Sequence, residues 1–407
     1  MKIISIFENS AYTVPDEYIT PLVEFLENNK KLPVHVHGNT LTFDEYVIGS
    51  ITINDLSILI NPRINKMKPN HYFEMQLYNE GLLDDKLSTS MDEESTFGIQ
   101  QNLTTLFLKK TAELVSQGIE GAFIKVSEET NVIKGRILIN EISPLRLIQD
   151  QIPVEYDIHT HNTAFNKIIK LALNKILLLI NDNKIQSRLF SQVNAYFEDV
   201  DVFESDLPQL ILELESKFYY ENPYYPTVIG LAIKILNDLK LNIKNNKVMG
   251  SSYLVNSNNL FEKYARKVLT NSLQEPIKKW AIPKTMGKIS FGSKSFEKSY
   301  IPDILVDYHD DLKTAFAVLD AKNKDILNPQ NIAKLPDLYQ ILFYCYTLKT
   351  DYGGLIYPAF NPLFKSAQIS VDSFKENNLF AFTIDFSKPL KQRNFDFVNA
   401  VKQAFGM

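Results

Sequence analysis

The sequence predicts a multidomain α/β chain: a β-rich α+β unit over residues 1–150, a helical linking region over 151–248, and an α/β domain on a central mixed sheet over 249–407. Three observations predict it. Short apolar runs separated by turn residues fill the first 65 residues, and apolar positions recur at helical spacing through the middle. In the last third a helical run, two strand-like runs, a second helix, two more strands and a closing helix follow one another.

The first 65 residues hold LPVHVHGNTLTF and YVIGSITINDLSILINPRI, which read as strands, and one early helix, DEYITPLVEFLENN. His35 and His37 alternate with valines on one strand. No third ligand lies nearby in sequence, so they read as exposed strand histidines rather than a metal pair. Residues 66–120 turn helical and end in NLTTLFLKKTAELVSQG, with Gly118 as the stop. GAFIKVSEETNVIKGRILINEI then gives two strands around a charged turn, where Gly135 allows a twist or bulge.

The linking region begins with VEYDIHTHNTAFNKIIKLALNKILLLI, a polar lead into a long amphipathic helix, with His159 and His161 as turn residues. ENPYYPTVIGLAIKILNDLK supplies a second helix. A polar lead, NNKVMGSSYLVNSN, then caps the helix NLFEKYARKVL.

The stretch SYIPDILVDYHDDLKTAFAVLDAK carries the chemistry. Ile301–Tyr308 and Ala315–Leu319 read as strands joined by the turn HDDLK. Asp303 sits early in one strand and Asp320 at the end of its neighbour, an arrangement in which two carboxylates can share a hard divalent cation. Lys322, two residues on, lies on the same strand face, where an ammonium can position water and offset charge on a phosphate. Glu262 on the preceding helix offers a third carboxylate. Gln340 and Tyr344 share one face of the helix in LPDLYQILFYCYTLK. The plain alternative is a strand-start turn followed by an exposed strand end. GGLIYPAF, LFAFTIDF and FDFVNAVKQAF complete the domain as two strands and a helix.

Taken together, Glu on a helix, Pro-Asp on a strand, Asp-x-Lys on the next and Gln-x-x-x-Tyr on a helix resemble the PD-(D/E)XK nuclease superfamily. The Lys134-Gly135-Arg136 triplet, the passage after Tyr156-Asp157 and the Asn-Leu-Phe-Glu-x-Tyr lead resemble McrC-type subunits of McrBC-like modified-cytosine restriction systems. That resemblance implies a Mg²⁺-dependent endodeoxyribonuclease of phage defence, with Mn²⁺ as a substitute. Its partner would be a McrB-like AAA+ GTPase hexamer and its substrate double-stranded DNA, modified or not. The N-terminal unit would engage the motor and stimulate its hydrolysis, and the C-terminal domain would cut. Carried over by motif, Asp303, Asp320 and the Ala321 carbonyl would hold metal; Lys322 would be the catalytic lysine, Glu262 an auxiliary acid and Gln340 an orienting residue. Two alternatives stay open: a stand-alone repair or CRISPR-associated nuclease of the same fold, and a non-cleaving activator of a motor NTPase.

Composition fits this division of labour. With 45% hydrophobic and 22% charged residues, the 407-residue chain has the make-up of a soluble globular protein with room for several cores. No apolar run reaches bilayer-spanning length and MKIISIFENS lacks a signal-peptide layout, so a cytoplasmic location with no membrane contact is expected. The single cysteine, Cys345, excludes an internal disulfide and a cysteine zinc site, and reads as core. No phosphate-binding G-x-x-x-x-G-K-[ST] loop occurs, so any NTPase belongs to a partner. Net charge is −5, but residues 251–300 carry nine Lys or Arg against three acids. Of these Lys263, Lys278, Lys279, Lys284, Lys288 and Lys294 are the candidate DNA-binding residues. The acidic stretch 197–216 would repel DNA.

Overall fold

The structure, a computed structural model, describes residues 2–83, 99–142, 151–180, 184–216, 222–244, 247–291, 294–371 and 378–407. It forms two compact units, Met1–Ile99 with Met249–Met407, and Gln100–Val248. This division differs from the expected three consecutive segments, whose boundary at residue 150 lies outside the described residues. Strand pairing gives the reason. Val47–Ile53 pairs antiparallel with Lys247–Asn256, in register from Val47 opposite Asn256 to Ile53 opposite Gly250. The N-terminal residues and the last third of the chain therefore share one sheet.

In that sheet the strands Lys2–Phe7, Leu56–Asn61, Val47–Ile53 and Lys247–Asn256 lie side by side in this order. Lys2–Phe7 runs parallel to Leu56–Asn61. The helix Asp16–Asn28 presents Tyr18, Leu22 and Phe25, spaced four and three apart, to Ile51, Ile53, Leu56 and Ile58. Gly49 is required: its φ is +130°, and a β-carbon there would collide with the Tyr253 carbonyl. A smaller sheet holds Tyr12–Thr13, Thr40–Phe43 and Val34–His37. On it His35 and His37 are exposed, and the His35 Nε2 faces Asp44 at 2.7 Å.

The second large sheet of this unit has the order Ile277–Lys278, Ile304–His309, Thr314–Ala321, Tyr352–Ala359, Asn378–Asp385 and Ser366–Ile369. It is mixed. The two central strands pair parallel with each other, Tyr352–Ala359 also pairs parallel with Asn378–Asp385, and the outer pairings are antiparallel. Its central strands are nearly continuous apolar runs because both faces are covered. The helix Leu335–Leu348 packs Ile341, Leu342, Cys345 and Leu348 against Leu305, Val318 and Leu355. Burial pushes the Cys345 thiol up to about 12, as expected of a core residue. The helices Ser257–Ser272 and Leu390–Phe405 complete the layer, packing on Thr314–Ala321 and Asn378–Asp385.

A buried polar chain joins the early and late segments of this unit. Ser257 donates to Glu8 at 2.8 Å, Asn323 donates to Ser257 at 3.0 Å, and Tyr72 donates to Asn323 at 2.8 Å. Nearby, Arg393, only 2% exposed, pairs with Glu74 at 2.7 Å and donates to the Tyr264 hydroxyl at 2.9 Å. Each group is satisfied, which is the condition for burying it.

The other unit packs the helices Ala164–Ile176 and Tyr225–Asp238 against each other. Asn166 holds the unit's turns by donating to the carbonyls of Glu120 and His161 at 2.8 and 2.9 Å. Gly118 ends the helix Ile99–Ser116 with a φ of +92°. A ribbon of Ala122–Thr130 against Ile152–Thr160 carries the short strand Arg136–Ile137 along its other edge. Gly135, at φ +60°, lets the Lys134–Arg136 turn approach the Glu155 carbonyl, which a β-carbon would meet at 2.5 Å. The polar lead before Ala164 is thus partly strand, and so is the lead before Ser257; in both, pairing with a distant partner overrides a locally polar sequence.

Candidate active site

Asp303 lies immediately before the strand Ile304–His309, and Asp320 sits near the end of Thr314–Ala321. The antiparallel pairing of Ile304 with Leu319 brings them together. The backbone N–H of Ala321 donates to Asp303 Oδ2 at 2.9 Å. Asp320 is buried, and Lys322, just past the strand end, lies against its Oδ2 as an ion pair. That oxygen is nevertheless buried without a hydrogen bond of good geometry.

Two helices close the site. From Leu335–Leu348, Gln340 accepts from the Lys322 ammonium at 2.7 Å and donates to the Tyr344 hydroxyl at 2.7 Å, and that hydroxyl lies 3.3 Å from the Ile301 carbonyl. The spacing of four residues sets Gln340 and Tyr344 one above the other. From Ser257–Ser272, Glu262 is paired with Arg266 at 2.9 Å and with Lys279. Lys279 also lies 3.8 Å from Asp303 Oδ1, while Arg266 donates to the Asp303 carbonyl at 3.0 Å.

The electrostatics separate the three acids. Burial, followed by the negative charges of Asp320 and Glu262, pushes Asp303 up to about 8, against a smaller opposing effect of the Ala321 N–H and Lys279. Asp320 is also raised, by burial first, although Lys322 opposes it. Burial raises Glu262 too, but hydrogen bonds and charge from Lys279 and Arg266 outweigh it and hold that carboxyl below its ordinary value. The site therefore contains two aspartates that resist ionising together and a glutamate already matched by cations.

All five residues singled out for catalysis, Glu262, Asp303, Asp320, Lys322 and Gln340, lie in this one place. The candidate DNA-binding lysines are distributed differently. Lys279 is engaged within the site, Lys278 pairs with Asp310, and Lys288 pairs with Glu297 at 3.0 Å. Lys284 donates to the Tyr308 hydroxyl at 2.6 Å and sits over the Trp280 ring at 4.2 Å. Lys263 and Lys294 are exposed. Two residues escaped sequence reasoning. Arg266 follows Glu262 by four residues, a spacing that signals an ion pair on a helix. Asp337, 4% exposed, binds Lys324 through both oxygens at 2.7 and 2.8 Å and stands 3.8 Å from Lys322; nothing local marked it.

A cation has an observable fit here. Burial and the negative charge of Asp320 raise Asp303, and burial raises Asp320, a destabilisation that a divalent ion between the two carboxylates would relieve. Among the described residues no group of three or more His, Cys, Asp or Glu side chains is arranged to hold a metal, so backbone carbonyl and water would have to complete the ligand set.

The fold and site define a mixed α/β chain with one buried and one half-buried acid and a lysine at the ends of adjacent strands. The sequence pattern of a McrBC 5-methylcytosine restriction system component matches residues 41–358, and the chain belongs to that family. Its fold is similar to a chain in the refined half-complex from the tetradecameric assembly of Thermococcus gammatolerans McrB AAA+ hexamers with bound McrC. The TM-score is 0.67 at 16% identity, covering 99% of this chain and 100% of that one. A chain of the cryo-EM structure of the Thermococcus gammatolerans McrBC complex is similar at TM-score 0.49 and 16% identity, covering 66% of this chain and 87% of that one. No protein of curated function matches the sequence. No helix of the described residues is long and apolar enough to cross a membrane.

Proposed function

We propose that this chain is the McrC-type, DNA-cleaving subunit of a McrBC-like restriction complex, with a PD-(D/E)XK nuclease site in its last third. The observation that carries this reading is the convergence of Asp303, Asp320, Lys322, Gln340 and Glu262 from two strand ends and two helices. Asp303, Asp320 and the Ala321 carbonyl would hold Mg²⁺, or Mn²⁺ in its place. The bound ion would supply Lewis-acid polarisation of a phosphate oxygen and a more acidic water. Lys322, fixed by Asp320 and Gln340, holds a positive charge where a phosphodiester gains negative charge. Gln340 itself is held by Tyr344, so the ammonium is aimed rather than free. Glu262, with Arg266 and Lys279, places a balanced cluster beside Asp303 and keeps both cations near the scissile phosphate.

The partner is a McrB-like AAA+ GTPase, which this chain stimulates and which delivers double-stranded DNA; membership of the McrBC family supports this. The test is DNA cleavage with Mg²⁺ by the chain and its Lys322→Ala variant, each with and without the partner and GTP. We expect cleavage that requires the partner and falls by about 10²-fold or more in the variant. Cleavage by the chain alone would make it a stand-alone nuclease. Intact DNA with GTP hydrolysis stimulated by both proteins would make it an activator only.

A further inference from the structure

Between Trp280 and the Asp303 loop the chain forms a two-stranded antiparallel hairpin, Lys284–Phe291 against Lys294–Tyr300, that belongs to neither large sheet. Its register sorts the side chains onto two unlike faces. Ile289 stands opposite Phe296, and Lys284 opposite Tyr300. On the second strand Lys294, Phe296, Lys298 and Tyr300 alternate onto that same face. Among the described side chains this face thus carries Lys284, Lys294 and Lys298 with the large side chains Ile289, Phe296 and Tyr300, and the hairpin itself adds no acid there; Lys284, at the base, lies 3.9 Å from Asp310. The opposite face pairs Lys288 with Glu297, Ser290 with Ser295 and Thr285 with Ser299, and is close to neutral.

The apolar residues are in the open: Ile289 is 53% exposed and Phe296 57%. At the base, Tyr300 packs edge-on against Trp280 and Phe343 and lies beside Tyr344, the residue that holds Gln340. The second strand then runs through Ile301 and Pro302 directly into Asp303. The lysine-and-apolar face is therefore continuous with the candidate active site.

We propose that this hairpin is a grip for duplex DNA. Lys294 and Lys298 contact backbone phosphates, and Ile289 and Phe296 press into the minor groove between them. Exposed apolar side chains flanked by lysines suit a duplex, where apolar residues wedge between base steps from the minor groove and lysines meet the anionic rims. Around Lys294, Phe296 and Lys298 the hairpin face carries charge of one sign only, so a second copy of the chain or an ordinary protein surface is a poorer match. The proposal rests on the nuclease reading and deepens it by naming how the substrate is held beside the cut.

The experiment uses the full chain with Ca²⁺ in place of Mg²⁺ and a fluorescein-labelled duplex, read by anisotropy across salt concentrations. The chain's single tryptophan, Trp280, at the hairpin base, gives a second readout by its emission. We expect the double variant Lys294→Glu, Lys298→Glu to weaken binding about tenfold or more, with a salt slope smaller by about 1.8. The double variant Ile289→Ser, Phe296→Ser should weaken binding about threefold or more with its salt slope unchanged. Ser290→Ala with Ser295→Ala, on the other face, should change neither. All three should keep the unsubstituted melting temperature, because the altered side chains touch solvent. Unchanged affinity in both face variants, with the unsubstituted chain binding DNA, would overturn the grip and leave the nuclease reading standing. Failure of the unsubstituted chain to bind duplex even with the AAA+ partner and GTP present would instead overturn the nuclease reading beneath it. Conversion of a larger assembly to a smaller one by Ile289→Ser, Phe296→Ser would assign the face to a second copy and overturn the grip as well.

Discussion

His71 shows how a residue outside the candidate site sets acid sensitivity. Its Nδ1 accepts from the Lys68 N–H at 2.9 Å, and its ring packs edge-on near Phe360 and Phe386. Burial, and then the charges of Arg393 and Lys68, lower its pKa from 6.5 to about 4. The unfolded chain thus takes up this proton from about pH 6.5 downward, while the folded chain resists until about pH 4. Protons favour the unfolded state across that window, so stability is fully present above 6.5 and is lost as pH falls towards 4. His71→Gln should remove a contribution on the order of 3 kcal/mol from the loss between pH 7 and pH 4. Urea melts of both proteins at the two pH values check this; equal losses would show that His71 is already charged in the fold.

Among the site residues, the acids and Lys322 were legible in the sequence because their spacing along two strands is a short-range property. Arg266 and Asp337 were not read, since their roles depend on what a helix meets across the sheet. Lys279 was read as one lysine of a basic stretch, but the fold turns it inward onto Glu262 and Asp303.

Elements position the site through close packing. The helix that carries Gln340 comes down on the strand Tyr352–Ala359 at Gly353, where a β-carbon would meet Cys345 Sγ and Leu379 Cδ2, each at 2.7 Å. Ile341 is the next neighbour, at 3.1 Å. Gly353→Ala should therefore cost about 1–3 kcal/mol by overpacking. Since the helix must lift to admit the methyl group, the Gln340–Lys322 hydrogen bond should loosen and cleavage should fall further than stability does. A melt and a cleavage assay on the same preparation test this; full activity with a lowered melting temperature would separate the helix seat from the site. The sequence marks Gly353-Gly354 only as part of a strand, because a glycine's reason lies in the partner that crosses it.

Across the whole molecule, the last third does not stand by itself. The strand Lys247–Asn256 needs Val47–Ile53 as its neighbour, Tyr253 donates to Gln76 at 2.7 Å, and Ser257 donates to Glu8. Arg393, nearly fully buried, is neutralised by Glu74. A fragment of residues 249–407 would leave that guanidinium without its carboxylate, at a cost of about 3–5 kcal/mol, and would strip one side of a sheet. Such a fragment should lack a cooperative melt and be cut rapidly by protease, whereas the full chain should resist. A fragment that melts cooperatively would show that the N-terminal segment is dispensable to the nuclease core.

By itself the sequence determined the elements whose information is local: the helices with apolar residues at four- and three-residue spacing, four of the six strands of the mixed sheet, the acid and Asp-x-Lys positions, and Cys345 as core. Periodicity and motif spacing survive in any context, since they follow from the geometry of one helix or one strand. Only the tertiary structure decided that residues 1–99 join the last third, that the polar stretches before Ala164 and Ser257 include strands, and that Lys279 and Arg266 face the acids. Those outcomes depend on partners tens to hundreds of residues away. A strand's hydrogen bonds and a buried charge's counterion are supplied by whichever segment the fold brings alongside, and no local pattern records which one that is.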